Sequence, residues 1–233
     1  YSADLVPFRI KWERHTEFAR YKFIVGGPCG DPFGPPAIEV VPADWLAAMP
    51  GEIMVAAHAA LISAGPDTPD SEALAARHFA GNALVGAGIA GGAGIALTDC
   101  RIHDGFGRML VFDRGMTPRQ AGRMMQRLLE IDTYRMMALL ALPVARSLTP
   151  ALTTSERELA QITSTLARAS DSDEPALLDR LTRLEAGIES IESLHHYRFA
   201  AAAAYYELVQ RRIEELRETR IQGMQNFQEF TER

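Results

Sequence analysis

The sequence predicts an α+β fold: an N-terminal mixed sheet with short helices, followed by a long antiparallel helical hairpin resembling a coiled-coil arm. Three observations carry this. Residues 1–116 read as short β-forming runs separated by turns rich in glycine and proline. Thr117-Pro118-Arg119-Gln120 is a well-formed helix start, with threonine at the cap, proline at the first helical position and glutamine three after the cap. From Leu148 onward, leucines and isoleucines alternate in spacings of four and three, a heptad seam. The expected organisation is an α+β head over 1–116, a connecting helix packed on the head over 117–146, and a helical arm over 147–233.

Taken in order, Leu5 to Ile10 and Phe18 to Val25 are rich in β-formers and flank a polar stretch from Lys11 to Glu17. Gly26 to Pro36 is a loop by composition. Pro42 to Leu46 suits one helical turn, with Asp44 as a candidate cap. Glu52 to Ile62 reads as a buried strand, and Pro69 to Phe79 as a short helix. Three strands follow, Ala83 to Ile89, Ile95 to Ile102 and Arg108 to Phe112. The glycines at 91, 92 and 94 and the Asp104-Gly105 pair supply turns for a meander.

The helix opened at Thr117 should run to about Leu142, where Pro143 interrupts it. The seam then comprises Leu148, Leu152, Ser155, Leu159, Ile162, Leu166 and Ala169 in one block. Leu177, Leu181, Leu184, Ile188 and Ile191 form the second. The short polar link Ser170 to Pro175 between them requires antiparallel neighbours. The second helix is expected to continue to the last residues, where Ile221, Met224, Phe227 and Phe230 keep a spacing of three.

A chain of 233 residues buries a core without help from a disulfide or a metal. Its net charge of −6, spread over both halves, argues against a nucleic-acid partner. Cys29 and Cys100 lie in different segments and read as reduced thiols rather than as a secreted framework. No apolar signal segment follows Tyr1, and no uninterrupted apolar run of roughly 18 residues appears. This portion is therefore expected to be cytoplasmic, and its helix to continue beyond Arg233.

Candidate sites are few. His15 and Glu17 share a face if their segment is extended, and His103 lies near Asp99 and Asp104. Arg14, His15, Glu17, Asp99, Arg101 and His103 form a candidate polar cluster if the strands bearing them pair, bracing the sheet rather than binding a metal, since no HExxH or CxxC accompanies them. His195 and His196 point about 100° apart on a helix and cannot chelate together. The run from Gly86 to Gly94 is followed by β-type residues, not by the helix that a phosphate loop must open. Arg114, Thr117 and Arg119 at the helix start form a candidate anion site. No GxSxG and no cysteine–histidine spacing suggests a nucleophile, so no enzyme activity and no cofactor are expected.

Four blocks carry a resemblance: Trp12 to Phe18; Thr98-Asp99 with Arg101-Ile102-His103; Asp113-Arg114-Gly115 with Thr117 to Arg123; and Leu128 to Ile131 with Tyr134 to Pro143. Together they resemble an uncharacterised bacterial family of predicted membrane-anchored proteins that has no assigned activity. The resemblance implies a C-terminal hydrophobic hairpin outside this chain as the membrane anchor. Two functions compete. One is a non-enzymatic scaffold that forms a homo-oligomer through the arm; the other is the cytosolic regulatory domain of an ion channel or transporter.

Overall fold

The computed structural model describes residues 1–27, 30–65, 70–168 and 173–232. Cys29, Pro69, Ala169 and the link residues Ser170 to Ser172 fall outside these ranges. The fold class is the one expected, α+β, with two sheets and short helices followed by long helices. The chain divides into two compact units, residues 1–132 with 210–233, and residues 133–209. The division falls within two of the long helices.

The first unit holds both sheets. Strands β1 (Ser2–Leu5), β2 (Phe8–Arg14) and β3 (Ala19–Ile24) form an antiparallel sheet in the order β1-β2-β3. The polar stretch expected to separate two strands is largely strand itself. Lys11 to Arg14 complete β2, because each pairs with a residue of β3: Glu13 faces Arg20 and, on the opposite side of the sheet, Trp12 faces Tyr21. Phe8, Ile10 and Val41 form a small core here, with Tyr21, Phe23 and Leu46 packed against it. Helix α1 (Ala43–Ala47) places Trp45 edge-on to Tyr21 and Phe23, at 6.0 and 5.9 Å between ring centres.

The second sheet has the order β4-β7-β6-β5, from β4 (Ala57–Ser63), β5 (Val85–Ile89), β6 (Gly94–His103) and β7 (Phe106–Asp113). The expected meander is present as β5-β6-β7. The strand expected from Glu52 begins only at Ala57, and it pairs parallel to β7. Helix α2 (Ser71–His78), β5 and β6 all lie in the long connection from β4 to β7 that a parallel pair demands. Asp70 caps α2, accepting from the N–H groups of Glu72 and Ala73. Phe79, Ile95, Leu97, Leu110 and Phe112 form the main core.

Helix α3 (Pro118–Leu139) starts as expected. Thr117 Oγ1 accepts from Gln120 N–H at 3.3 Å and Gln120 Oε1 accepts from Thr117 N–H at 2.9 Å, closing the reciprocal box. Ala121, Met124, Leu128 and Ile131 are buried, one helical stripe. The break comes at Leu140, before α4 (Ala141–Leu166). That position follows from Pro143, whose ring opposes the carbonyl four residues earlier, at Leu139.

The second unit contains the later part of α3, α4, and α5 (Glu174–Leu216) up to Val209. Glu158 and Arg180 meet at 3.8 Å, and Ile162 and Leu177 are both buried. A residue ahead of the link thus meets one beyond it at a similar remove, so α4 and α5 run antiparallel. The seam is only half covered. Ser155, Leu184 and Ile191 are half-buried, as is Leu148, and with Ile162 and Leu177 they form one heptad row. The other row stands exposed: Leu152 at 44%, Leu159 at 46%, Leu166 at 55%, Leu181 at 41% and Ile188 at 39%. In this pair each helix turns one of its two rows toward the other and leaves the second to solvent.

Two further expectations are corrected. The helical stretch Pro118–Leu166 is long and apolar enough, by length and composition, to cross a membrane, with 6% of its apolar window buried. Prolines and threonines hide this in the sequence, yet Arg146 is the single charge between Arg135 and Glu156. The terminal residues are not one helix. Helix α5 ends at Leu216, Arg217 turns left-handed at φ 52°, and residues 217–226 form a strap along β5. Only α6 (Phe227–Thr231) is helical, started by an Asn226–Glu229 capping box. The spacing of Ile221 and Met224 instead suits packing on the main core, where both lie.

Candidate functional site

Strands β2 and β6 belong to different sheets, so the pairing that would gather the candidate polar cluster does not occur. Arg14 ends β2, and His15 and Glu17 lie in the turn before β3. The His15 ring stacks on Phe18 at 4.3 Å, and burial together with Arg20 lowers its pKa. Asp99, Arg101 and His103 do come together on β6. A bulge between Thr98 and Ile102, with Cys100 at φ 53°, turns Asp99 inward until its side chain is fully buried. Its carboxylate lies 2.6 Å from His103 Nε2 and accepts from Asn82 Nδ2 at 3.0 Å and from Arg101 N–H at 3.1 Å. Three partners on one carboxylate make a brace for the bulge. Among the described residues, no three histidine, cysteine or carboxylate side chains gather as a metal would require.

The candidate anion site is rearranged. Asp113 Oδ1 accepts from Gly115 N–H at 3.0 Å and from Met116 N–H at 2.7 Å, so the protein's own carboxylate uses donors beside the helix start. The Thr117 hydroxyl is engaged with Gln120, and Arg119 is exposed on the first turn of α3. Arg114 instead lines a cleft of about 310 Å³ together with Arg220, Thr219 and Gln222 of the strap. Gly88 of β5, Gly92 of the β5–β6 turn, Ile95 and Ile221 complete its lining.

The most densely charged part of the first unit was not singled out in the sequence. Glu13 pairs with Lys11, Arg20 and Lys22, at 2.8, 2.6 and 3.1 Å. Burial opposes ionisation of Glu13, but these three cations overcome it and hold its carboxyl far below the usual carboxylate range. Glu130 on α3, 4% exposed, accepts from Arg212 Nε at 2.5 Å and from Gln126 Nε2 at 2.8 Å, with Arg20 at 3.4 Å. Burial again works against the charge, and Gln126, Arg212 and Arg20 again win, lowering its pKa. Glu215 receives Arg212 at 3.1 Å and Arg127 at 2.8 Å. The network ties β2 and β3 to the middle of α3 and the end of α5. A carboxylate held ionised between guanidinium groups is a poor proton donor or acceptor near neutral pH. The arginine partners of Glu130 lie 82 and 110 residues away in sequence, with no local spacing to betray them.

Comparison with curated proteins and with solved structures gives no match. All of the chain, residues 1–233, matches the family described as Protein of unknown function (DUF3422), and the chain belongs to that family.

Proposed function

We propose that this chain is a non-enzymatic scaffold that associates with a second copy of itself through the uncovered heptad row. The observation that supports this is the split of the seam: one row is covered by the helix pair, while Leu152, Leu159, Leu166, Leu181 and Ile188 remain exposed. Two such hairpins, laid row against row, complete a four-helix arrangement in which both rows are buried. Each leucine removed from water in this way contributes about 1–2 kcal/mol. Sedimentation equilibrium on this chain tests the reading. A dimer is expected, dissociating when Leu159→Glu and Leu181→Glu are combined, with helix content unchanged by circular dichroism. A strict monomer at high concentration would refute it.

A second reading has its own support. The apolar window in Pro118–Leu166, 6% buried, suits work at a membrane. Ser147, Thr149, Thr153, Thr154, Thr163 and Thr165 turn their hydroxyls back onto carbonyls of their own helix, which lessens the cost of an apolar environment. Flotation with phosphatidylcholine vesicles tests it. Co-flotation that is lost in Leu139→Lys/Leu142→Lys supports membrane contact, and failure to float counts against it.

A further inference from the structure

We propose that the cleft between the β5–β6 turn and the C-terminal strap binds a phosphate group, carried by a small solute or by a lipid headgroup. Two arginines from distant parts of the chain, Arg114 and Arg220, both line it. Thr219 and Gln222 add neutral polar side chains to the lining, and among the described residues no carboxylate lines the cleft. In a chain with 30 acidic and 24 basic side chains, two cations around one concavity with no lining carboxylate run against the overall charge. Tetrahedral oxyanions suit such a set, because guanidinium forks and a hydroxyl can address several oxygens at once.

The frame is built before any ligand arrives. Arg114 N–H donates to the Ala93 carbonyl at 2.9 Å, which fixes its backbone against the turn bearing Gly92. Thr219 is held by its backbone exchange with Gly88. Arg220 is held loosely: it is largely exposed and lies 3.4 Å from Glu229, which also takes part in the cap of α6. A guanidinium in that position can exchange an exposed carboxylate for a phosphate at small cost. The cleft, at about 310 Å³, exceeds the needs of a bare phosphate and leaves room for part of an ester.

Calorimetric titration of this chain with inorganic phosphate and with glycerol 3-phosphate, at constant ionic strength set by chloride, tests the solute source. Flotation with phosphatidylcholine vesicles, with and without phosphatidic acid, tests the lipid source. Saturable binding is expected in at least one arm, weakened about tenfold or more by Arg220→Gln and by Arg114→Gln, and unchanged by Arg119→Gln outside the cleft. Arg220 is exposed, so its variant carries the test even if the Arg114 variant folds poorly. Absence of saturable binding in every arm, or equal affinity in Arg220→Gln, would overturn the proposal.

Discussion

Gly88 and Thr219 exchange two backbone hydrogen bonds, each N–H donating to the other's carbonyl, at 2.9 and 2.8 Å. The strap lies so close to β5 that a Cβ on Gly88 would collide with the Thr219 hydroxyl, with the Thr219 Cβ next at 3.5 Å. Gly88→Ala is therefore expected to cost about 1–2 kcal/mol in urea unfolding, with much of the loss restored by Thr219→Ala. Gly86→Ala should cost more. Its Cβ would sit 2.6 Å from the Ala96 carbonyl oxygen and 2.8 Å from Met224 Sδ, and a backbone atom cannot turn aside.

Glu130→Ala removes the buried carboxylate shared by Arg212 and Arg20, which keep only the more exposed Glu215 and Glu13. A loss of about 3–5 kcal/mol is expected in chemical denaturation. Glu130→Gln should fall between the two, since an amide oxygen still accepts from Arg212 but carries no charge.

Asp99→Ala removes the acceptor shared by Asn82, His103 and Arg101 N–H, and about 2–3 kcal/mol of stability should go with it. Amide exchange around the β6 bulge is the sharper readout. Protection should fall at residues 99–103 before it falls in β5 or β7.

Acidification should destabilise the first unit in two steps. Burial is the largest cause of the lowered pKa values of His58 and His78, so both are neutral when folded. As pH falls below about 6.5 the unfolded chain takes up these protons first, and stability declines through the folded values. Glu13 and Glu130 act lower down. Their stabilising contribution is complete above the ordinary glutamate value of 4.5 and is lost as pH drops through their depressed folded values. Thermal melts across pH 3 to 8 check this, and His58→Gln should remove part of the upper step.

Glu218 has the opposite sign. Burial raises its pKa despite the N–H groups of Phe227 and Gln228, at 3.1 and 3.3 Å. Its contribution is full below the unfolded value and declines as pH rises through the folded one. Glu218→Gln is thus expected to melt higher than the parent near neutral pH, with the gap closing on acidification.

How much of this was legible in the sequence depended on distance along the chain. The box at Thr117 and Gln120, the break ahead of Pro143 and the Asp99–His103 contact rest on residues within four of one another, and each can be read locally. The heptad spacing gave both helices, but periodicity alone does not say how many partners a seam has. That is why half of it lies bare. The parallel pairing of β4 with β7, the Glu130–Arg212 contact and the strap all join remote segments. At the strap the spacing pointed the wrong way: Ile221, Met224, Phe227 and Phe230 keep a helical interval, while Gly223 takes a φ of 80° and pairing to β5 governs the backbone.

The strap bears on how the chain is made. Val85 and Gln225 form a bridge although the whole of α3, α4 and α5 separates them. On the ribosome β5 emerges long before its covering segment, and for that interval its outer N–H and C=O groups face any passing chain. The intervening helices form from near neighbours and are quick, whereas closing the sheet edge spans a very wide loop and is slow. Mistakes in assembly should therefore start at β5, and a nascent chain halted within α5 should be the species that chaperones hold.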